Sequence, residues 1–585
     1  MSLFDDNLLS MANTPVAAPI TTTFTGLGDD AWFAASQALA TDTPVHPAGM
    51  VRPFLPWQAA AFTYALASIA RWSGALVGDD MGMGKTQVLQ ALIHDALGKA
   101  RTAGTHKAYA IVVSPTVAEH GWRTDLQASF PGLKMHTVRG RTVDHSTLPE
   151  ADIYFISDDP LTLKAWLAIE NKLASGKLHT VASEWARNAT IVVRDEIHRD
   201  KGNMGKPTTR SRVMLAVGDA VRTAGRAIVG ATGTLLTNRP VEAYVPLQIV
   251  GGEQLVVALT PGASKMSGFL WRYCAPTQKS IGHGRTAWDF KGQDNESALQ
   301  LHEYLRRTVY VRREKADLGE GVLPDSGYNV VPIALDRSAL VRYNRIAKDL
   351  YNLIVEEKGV EAAMRAERSL VVQGMMAMWQ EAGKAKAPAA VEYMLENIPA
   401  DESVVMFFHH ESVRDAMMLA LVNAGVSYTV IDGKVTDKRD KHGNVTDPAR
   451  TQAIEEFQAG EVRVMLAQHG AAGLGVTLTA AKHAMYIQLP WSAGTLAQCS
   501  GRILRVDQTT MDRAANGERV TWHVIQGCYD NGDPLFCGNM WDVLCRKSHL
   551  VDSVNAGKPI TITDDNVQMA MLESWMPDAK RYGGW

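Results

Sequence analysis

The sequence predicts an α/β protein made of two tandem parallel-sheet units, with helical insertions between and within them. Three observations predict it. From about residue 51, short apolar runs alternate with helix-like stretches, the rhythm of parallel α/β sheets. The runs are apolar throughout, as expected of strands covered on both faces. The rhythm lapses over roughly residues 240–395 and then restarts.

Taken in order, residues 1–48 are rich in Ala, Thr and Pro and read as an extension or small accessory segment. The first unit spans 49–325, with strand candidates at 75–78, 108–113, 152–156, 190–194 and 227–230 and a helical insertion over about 240–325. Within the helical middle, 301–313 and 340–357 are charged and helix-like. The second unit spans 326–550, opening with a helical insertion over about 336–390. Its strand candidates are 403–408, 427–431, 462–466, 484–488 and 521–525. Between the first two of these, Ser412 is a candidate cap, Val413, Met417 and Leu421 share a face, and Gly425 ends the helix. Residues 437–450 are polar with both charge signs and read as a solvated loop or hairpin. Residues 551–585 read as an irregular tail.

Composition narrows the function classes. The 585 residues suit about three to five domain-sized units, are 46% hydrophobic and 21% charged, and carry 59 Lys plus Arg against 62 Asp plus Glu. A polycationic or wholly disordered chain is excluded. Any nucleic-acid contact must come from a local basic groove. Five Cys are too few for a disulfide framework, and Cys528, Cys537 and Cys545 lack the spacing of a zinc site. The acidic start Met1-Ser2-Leu3-Phe4-Asp5-Asp6 is unlike a secretory signal, and no apolar run reaches membrane length. The expectation is a cytoplasmic protein with no membrane partner.

Two motifs carry the chemistry. After the first strand comes Asp79-Asp80-Met81-Gly82-Met83-Gly84-Lys85-Thr86 and then an apolar-periodic helix. Glycines let backbone N–H groups close around phosphates, Lys85 supplies charge, and the Thr86 hydroxyl can ligate Mg²⁺. Asp79 stands where the strict loop pattern wants Gly. A later strand ends in Arg194-Asp195-Glu196-Ile197-His198. Carboxylates at a strand's C-terminal end face the ligand crevice of an open sheet, so Asp195 can hold Mg²⁺ and Glu196 can polarise a water. Read as neighbours in one parallel sheet, the pair makes an NTPase site.

Asp195-Glu196-Ile197-His198 resembles the DExH box of superfamily-two helicases, and Asp80–Thr86 resembles the phosphate loop of Swi/Snf-type ATPases, whose position matching Asp79 is acidic. The rest of that family's ladder follows in order. Pro56-Trp57-Gln58 resembles the Q motif, which implies that Gln58 reads adenine. Val113-Ser114-Pro115-Thr116 with Trp122 resembles motif Ia, and the run from Arg199 to Asn203 echoes a basic family element. Ala231-Thr232-Gly233-Thr234-Leu235 with Asn238 resembles motif III. Val311-Arg312-Arg313-Glu314-Lys315 resembles the Arg-Arg-x-Lys element before the chain crosses to the second lobe. Beyond it, Lys384-Ala385-Lys386 with 404–410 resembles motif IV, and Ile431-Asp432-Gly433 the family's turn. Residues 473–478 resemble motif V, which implies nucleotide contact by Gly475. Pro490-Trp491 resembles motif Va, and the run from Gln498 to Gln508 resembles motif VI. In motif VI, Leu504 and Asp507 depart from the usual pattern while Arg502 and Arg505 are kept. The resemblance covers roughly 51–550, and the stretch from Lys384 to His410 looks most like the annealing-helicase and fork-remodelling branch.

The resemblance implies two RecA-like lobes, ATP and Mg²⁺ as cofactors, and DNA, duplex or forked, as the track. Lys85, Asp195, Glu196, Arg502 and Arg505 are then catalytic, with Arg502 and Arg505, three apart, expected on one helical face and reaching the γ-phosphate. Gln58, Asp80, Met81, Gly82, Met83, Gly84, Lys85, Thr86, Gly475 and Gln498 would bind nucleotide, and Thr86 and Asp195 would hold Mg²⁺. Ser114, Thr116, Thr234, His409, Thr477 and Trp491 would touch DNA, with Lys206, Arg210 and Arg212 as further groove candidates. His198 and Thr232 would couple the two events. Three readings stand: a duplex translocase and remodeller, a strand-separating or annealing helicase on forked or single-stranded DNA, and an ATP-gated clamp. A monomeric near-bare motor suits a bacterial or phage setting, with an unidentified replication, repair or transcription partner.

Overall fold

A computed structural model describes residues 28–41, 46–105, 107–172, 178–202, 207–236, 239–260, 266–280, 286–289, 295–435, 438–439, 445–472 and 476–545, with 572, 575 and 576. The chain divides into two compact units, with the boundary between Gly319 and Glu320.

The first unit holds a seven-stranded sheet of β1 (Gly74–Val77), β2 (Ala110–Ser114), β3 (Met135–Val138), β4 (Ile153–Ser157), β5 (Ile191–Asp195), β6 (Ala227–Ala231) and β7 (Tyr310–Val311). The order is β7-β1-β6-β5-β2-β4-β3, and every pairing is parallel. Alternate residues build two cores because successive side chains point to opposite faces. Ala75, Val77, Ala110, Val112, Ile191 and Val193 pack with the helices Pro56–Trp72, Lys85–Thr102 and Glu119–Ser129. Leu76, Ile111, Val113, Val192 and Ile228 pack with Thr209–Thr223 and Tyr244–Leu259. The five strands expected here are present; β3 and β7 are additions. The helix expected over 301–313 instead runs Asn295–Arg306, and Tyr310–Val311 becomes the sheet edge. Pairing of Tyr310 with Leu76 and Val311 with Val77 overrides the helical period of that stretch.

The described part of the stretch read as an extension over 1–48 contains a helix. Asp30–Gln37 is a helix capped by Asp29, and Trp32, 2% exposed, donates its indole N–H to Tyr64 Oη at 2.8 Å. It belongs to the first unit's core.

The second unit holds a six-stranded parallel sheet of β8 (Asp325–Ala334), β9 (Val404–Phe408), β10 (Tyr428–Ile431), β11 (Val464–Gln468), β12 (His483–Tyr486) and β13 (Arg519–Cys528), ordered β8-β13-β12-β9-β11-β10. The strand β8 lies outside the expected set. One face packs on Arg337–Glu356 and the first half of Arg368–Asn397, the other on the second half of that helix and Glu411–Asn423. Met375 and Met378 are core residues. Val413, Met417 and Leu421 face the core as expected, and Gly425 ends the helix at φ 65°. Ser412 is not the cap: the helix begins at Glu411, and the Ser412 hydroxyl accepts from Gln380 Nε2 at 2.6 Å. Lys438–Arg439 and Val445–Asp447 pair antiparallel, so the stretch read as loop or hairpin contains a ribbon. Among the described residues, no helix is long and apolar enough to cross a membrane, and the five cysteines form no disulfide.

Candidate functional site

Parallel pairing brings the first unit's motifs to one sheet edge. Val77 pairs with Ala231, and Ala231 pairs with Asp195. The loops after β1, β6 and β5 therefore leave the sheet side by side, where ligands bind in open α/β sheets. The sequence reading set the phosphate loop and the DExH strand on neighbouring strands; β6 lies between them, so the motif III loop is wedged between the two.

The loop after β1 turns through Gly82 and Gly84, at φ 82° and 85°, into the helix Lys85–Thr102, whose first turn has no side-chain cap. Left-handed backbone there needs glycine. A Cβ on Gly84 would also lie 2.0 Å from Gln58 Nε2. Lys85 Nζ donates to the Asp79 and Asp80 carbonyls at 2.7 and 3.1 Å. Burial lowers the Lys85 pKa, while the carboxylates of Glu196, Asp79 and Asp80 pull it back up. Gln58 is buried; its carbonyl oxygen accepts from Leu55 N at 2.9 Å and its amide donates to the Met83 carbonyl at 3.3 Å, a bond shared with Trp57. In this conformation Gln58 braces the loop. Asp80 also faces inward: Arg312 Nη2 donates to Oδ1 at 2.8 Å and Lys315 N to Oδ2 at 3.1 Å. Burial works to raise the Asp80 pKa, but Arg312 and Lys315 outweigh it and hold the carboxyl below its usual range.

At the end of β5, Trp122 Nε1 donates to Asp195 Oδ2 at 2.9 Å. Burial and the adjacent Glu196 charge push the Asp195 carboxyl above its ordinary range. Glu196 sits at φ 55°, a left-handed conformation that costs a residue with a Cβ about 1–2 kcal/mol. The turn is held by what lies beneath it. Buried Arg194 grips Asp200 at 2.6 and 3.1 Å and reaches Asp158 at 3.3 Å, while Arg199 meets Asp158 at 2.8 Å. Arg210 belongs to this support, donating to the Asp158 carbonyl at 2.8 Å, and Arg212 meets Glu170 at 3.3 Å. The two coupling candidates touch: His198 Nδ1 lies 2.8 Å from Thr232 Oγ1 and 3.2 Å from Glu196 Oε2. Thr232 Oγ1 in turn accepts from Thr234 N at 3.1 Å.

In the second unit, Arg502 and Arg505 converge, but not as expected. The helix Ala493–Ser500 ends at Gly501, so the arginines follow it in a turn and share no helical face. Both donate to the Val476 carbonyl at 3.3 Å, and Arg505 also bonds Thr477 Oγ1. Gln498 is half-buried on that helix. At the C-terminal ends of β9 and β12, Gln488 Oε1 accepts from His409 N and His410 N at 3.0 Å. Trp379 packs against His409, His410 and Trp491 with ring centroids 4.6, 4.9 and 4.9 Å apart. Of the other nucleic-acid candidates, Thr116 is exposed, whereas Ser114 and Thr234 are buried. Gly475, Asn203, Lys206 and Asn238 lie outside the described residues. Sequence reasoning missed the roles of Trp122, Arg194 and Gln488, and of Arg312 and Arg313. Trp122 and the Arg-Arg pair carried a signal, each as part of a family element without an assigned role.

A family model described as "Helicase conserved C-terminal domain" matches residues 386–507. The chain is 24% identical over 538 residues to the DNA annealing helicase and endonuclease ZRANB3 of Mus musculus, covering 89% of this chain and 43% of that protein. It is 24% identical to the SWI/SNF-related matrix-associated actin-dependent regulator of chromatin subfamily A-like protein 1 of Drosophila melanogaster, over 78% of this chain and 51% of that one. The chain thus spans about half or less of the length of these relatives. Among solved structures, the Sulfolobus solfataricus SWI2/SNF2 ATPase core in complex with dsDNA aligns over 92% of this chain and 99% of its own, at 15% identity and TM-score 0.35.

Proposed function

We propose that this chain is a Swi/Snf-type ATPase of helicase superfamily two that hydrolyses ATP at the sheet edge of its first unit and uses the cycle to move along DNA and remodel it or what is bound to it. The observation that carries the reading is the register row Val77, Ala231, Asp195, which sets the three motif loops side by side.

The residues fit a nucleotide. Uncapped N–H groups open the helix Lys85–Thr102, Gly82 and Gly84 keep the backbone clear of side chains, and Lys85 stands among them. Gly233 keeps the facing loop equally bare: a Cβ there would lie 2.6 Å from Met81 Cγ and 3.3 Å from Lys85 Nζ. Such N–H groups bind phosphate. Lys85 exchanges its two carbonyl partners for phosphate oxygens, and Glu196 accepts the proton of the attacking water. Thr86 and Asp195 would hold Mg²⁺, which supplies charge neutralisation to the phosphates. His198 links Glu196 to Thr232, so a change at the carboxylate reaches the loop after β6. For Arg502 and Arg505 the charge-stabilising role rests on the sequence resemblance. Thr116, His409 and Trp491, each at least partly accessible, are the side chains best presented to a phosphate backbone, which a translocase grips without reading sequence. The name of the ZRANB3 relative favours a second reading, that of a DNA annealing helicase.

Steady-state ATPase activity with no nucleic acid, duplex, forked and single-stranded DNA and RNA tests this. Stimulation by blunt duplex supports translocation on double strands; stimulation confined to forks or single strands supports the second reading. Glu196→Gln should bind nucleotide and lose turnover. Turnover comparable to wild type would sink the mechanism.

A further inference from the structure

We propose that Arg312 is a positioning residue for the nucleotide, tying the phosphate loop to the loop after β6; this deepens, and rests on, the reading of residues 78–86 as the ATP site. The tie follows from register. Val311 pairs with Val77, so Arg312 and Arg313 leave β7 level with Gly78 and Asp79. The Arg312 guanidinium, on a residue 4% exposed, lies 3.6 Å from Glu314 Oε1 and donates in three further directions. Nη1 donates to the Gly78 carbonyl at 2.7 Å and to the Gly233 carbonyl at 2.8 Å, and Nη2 donates to Asp80 Oδ1 at 2.8 Å. One side chain therefore bridges the start of the phosphate loop, its second carboxylate and the middle of the motif III loop.

Its own backbone is fixed from behind. Arg312 N donates to the Ser36 carbonyl at 3.2 Å, and Arg306 Nη1 donates to the Arg312 carbonyl at 2.5 Å. Asp80 N donates to the Arg313 carbonyl at 2.9 Å, and buried Asp79 accepts from Arg313 N and Nε at 2.9 and 2.8 Å. The acidic residue at 79, which breaks the strict glycine pattern, holds this segment in place. Lys85 bonds the carbonyls of Asp79 and Asp80, so the positions of those carbonyls set the position of its amine. Movement of the phosphate loop on nucleotide binding is thus shared with Gly233. It is also shared with the stretch after β7, through which the chain passes to the second unit at Glu320. A planar guanidinium can serve these three acceptors at once; an ammonium on a flexible stem cannot hold the same fork.

The experiment compares wild type with Arg312→Lys and Arg312→Gln. Readouts are fluorescent ATP-analogue and ADP binding, kcat against KM, and hydrogen exchange of segments 78–86 and 232–236 with and without nucleotide. Arg312→Lys should weaken nucleotide binding roughly tenfold, the effect of losing one hydrogen bond to a charged group. It should also abolish nucleotide-dependent protection of 232–236, while the helix after Lys85 is still protected. Wild-type affinity together with undiminished protection of 232–236 overturns the proposal. Should either variant unfold, Asp80→Ala, which removes one of the three anchors, must shift binding and protection in the same direction, and no shift overturns the proposal. Failure of wild type to bind nucleotide would sink the ATP reading itself. The tie is then judged on exchange without nucleotide, which Arg312→Lys must raise in both segments together; a rise confined to one overturns it.

Discussion

Asp195 and Trp122 stand 73 positions apart and share a hydrogen bond of 2.9 Å, so the orientation of the proposed metal-binding carboxylate is set from the helix after β2. Trp122→Phe keeps the packing against Phe155 and removes the donor. It should raise the Mg²⁺ concentration needed for nucleotide binding by about tenfold, from a bond to a charged group worth roughly 1.5–3 kcal/mol. A magnesium titration of nucleotide affinity checks this, and an unchanged midpoint contradicts it. His198 and Thr232 make a sharper pair, since their side chains meet directly at 2.8 Å. A double-mutant cycle of His198→Ala and Thr232→Ala, read on turnover, should give a coupling energy between about 0.5 and 3 kcal/mol. Additive losses would mean that the contact transmits nothing.

At the scale of the element, the edge strand β7 is only Tyr310–Val311, yet its end anchors the phosphate loop. Arg313 and Asp79 are 0% and 1% exposed as side chains. Removing one member of a buried pair strands the other, at a cost of about 3–5 kcal/mol. Arg313→Ala should therefore lower the stability of the first unit by that order in urea unfolding, and a loss below about 1 kcal/mol would show that the pair is not a support. Gly425 behaves differently. A Cβ there would meet nothing within 4 Å, so Gly425→Ala tests the φ of 65° alone. A loss of about 1 kcal/mol is expected.

For the whole molecule, the buried His469 and His523 and the half-buried His410 make the second unit sensitive to acid. Burial lowers the pKa of His469 to about 3 and of His410 and His523 to about 4, from an ordinary 6.5. Folding keeps these rings neutral while the unfolded chain binds protons below about pH 6.5. Their contribution is therefore complete above that pH and is lost as pH falls from 6.5 toward 4. At pH 5 the loss is on the order of 2 kcal/mol for each fully buried ring. Urea unfolding at pH 7.5 and 5, followed by second-unit probes such as Trp379 and Trp522, should show the midpoint falling. A midpoint flat over that range would contradict the burial of these rings.

Ten strands were legible in the sequence because each is a short apolar run between turn signals, a purely local property. The phosphate loop and the DExH turn were legible for the same reason: Gly82, Gly84, Lys85 and the Asp195–Glu196 pair declare their chemistry within a few residues. The edge strands β3, β7 and β8 were not, because their strand character is decided by pairing, as Met135 with Ile153, Tyr310 with Leu76 and Asp325 with Arg519. Nor could spacing settle Arg502 and Arg505, since Gly501 closes the helix before them and it is the Val476 carbonyl that brings them together. The sequence by itself thus determined which side chains carry the chemistry, because reactivity resides in residue type and local order. The tertiary structure alone decided which residues hold them in place, such as Trp122 for Asp195 and Arg312 for Gly78 and Gly233, because those hydrogen bonds join positions 73 to 234 residues apart.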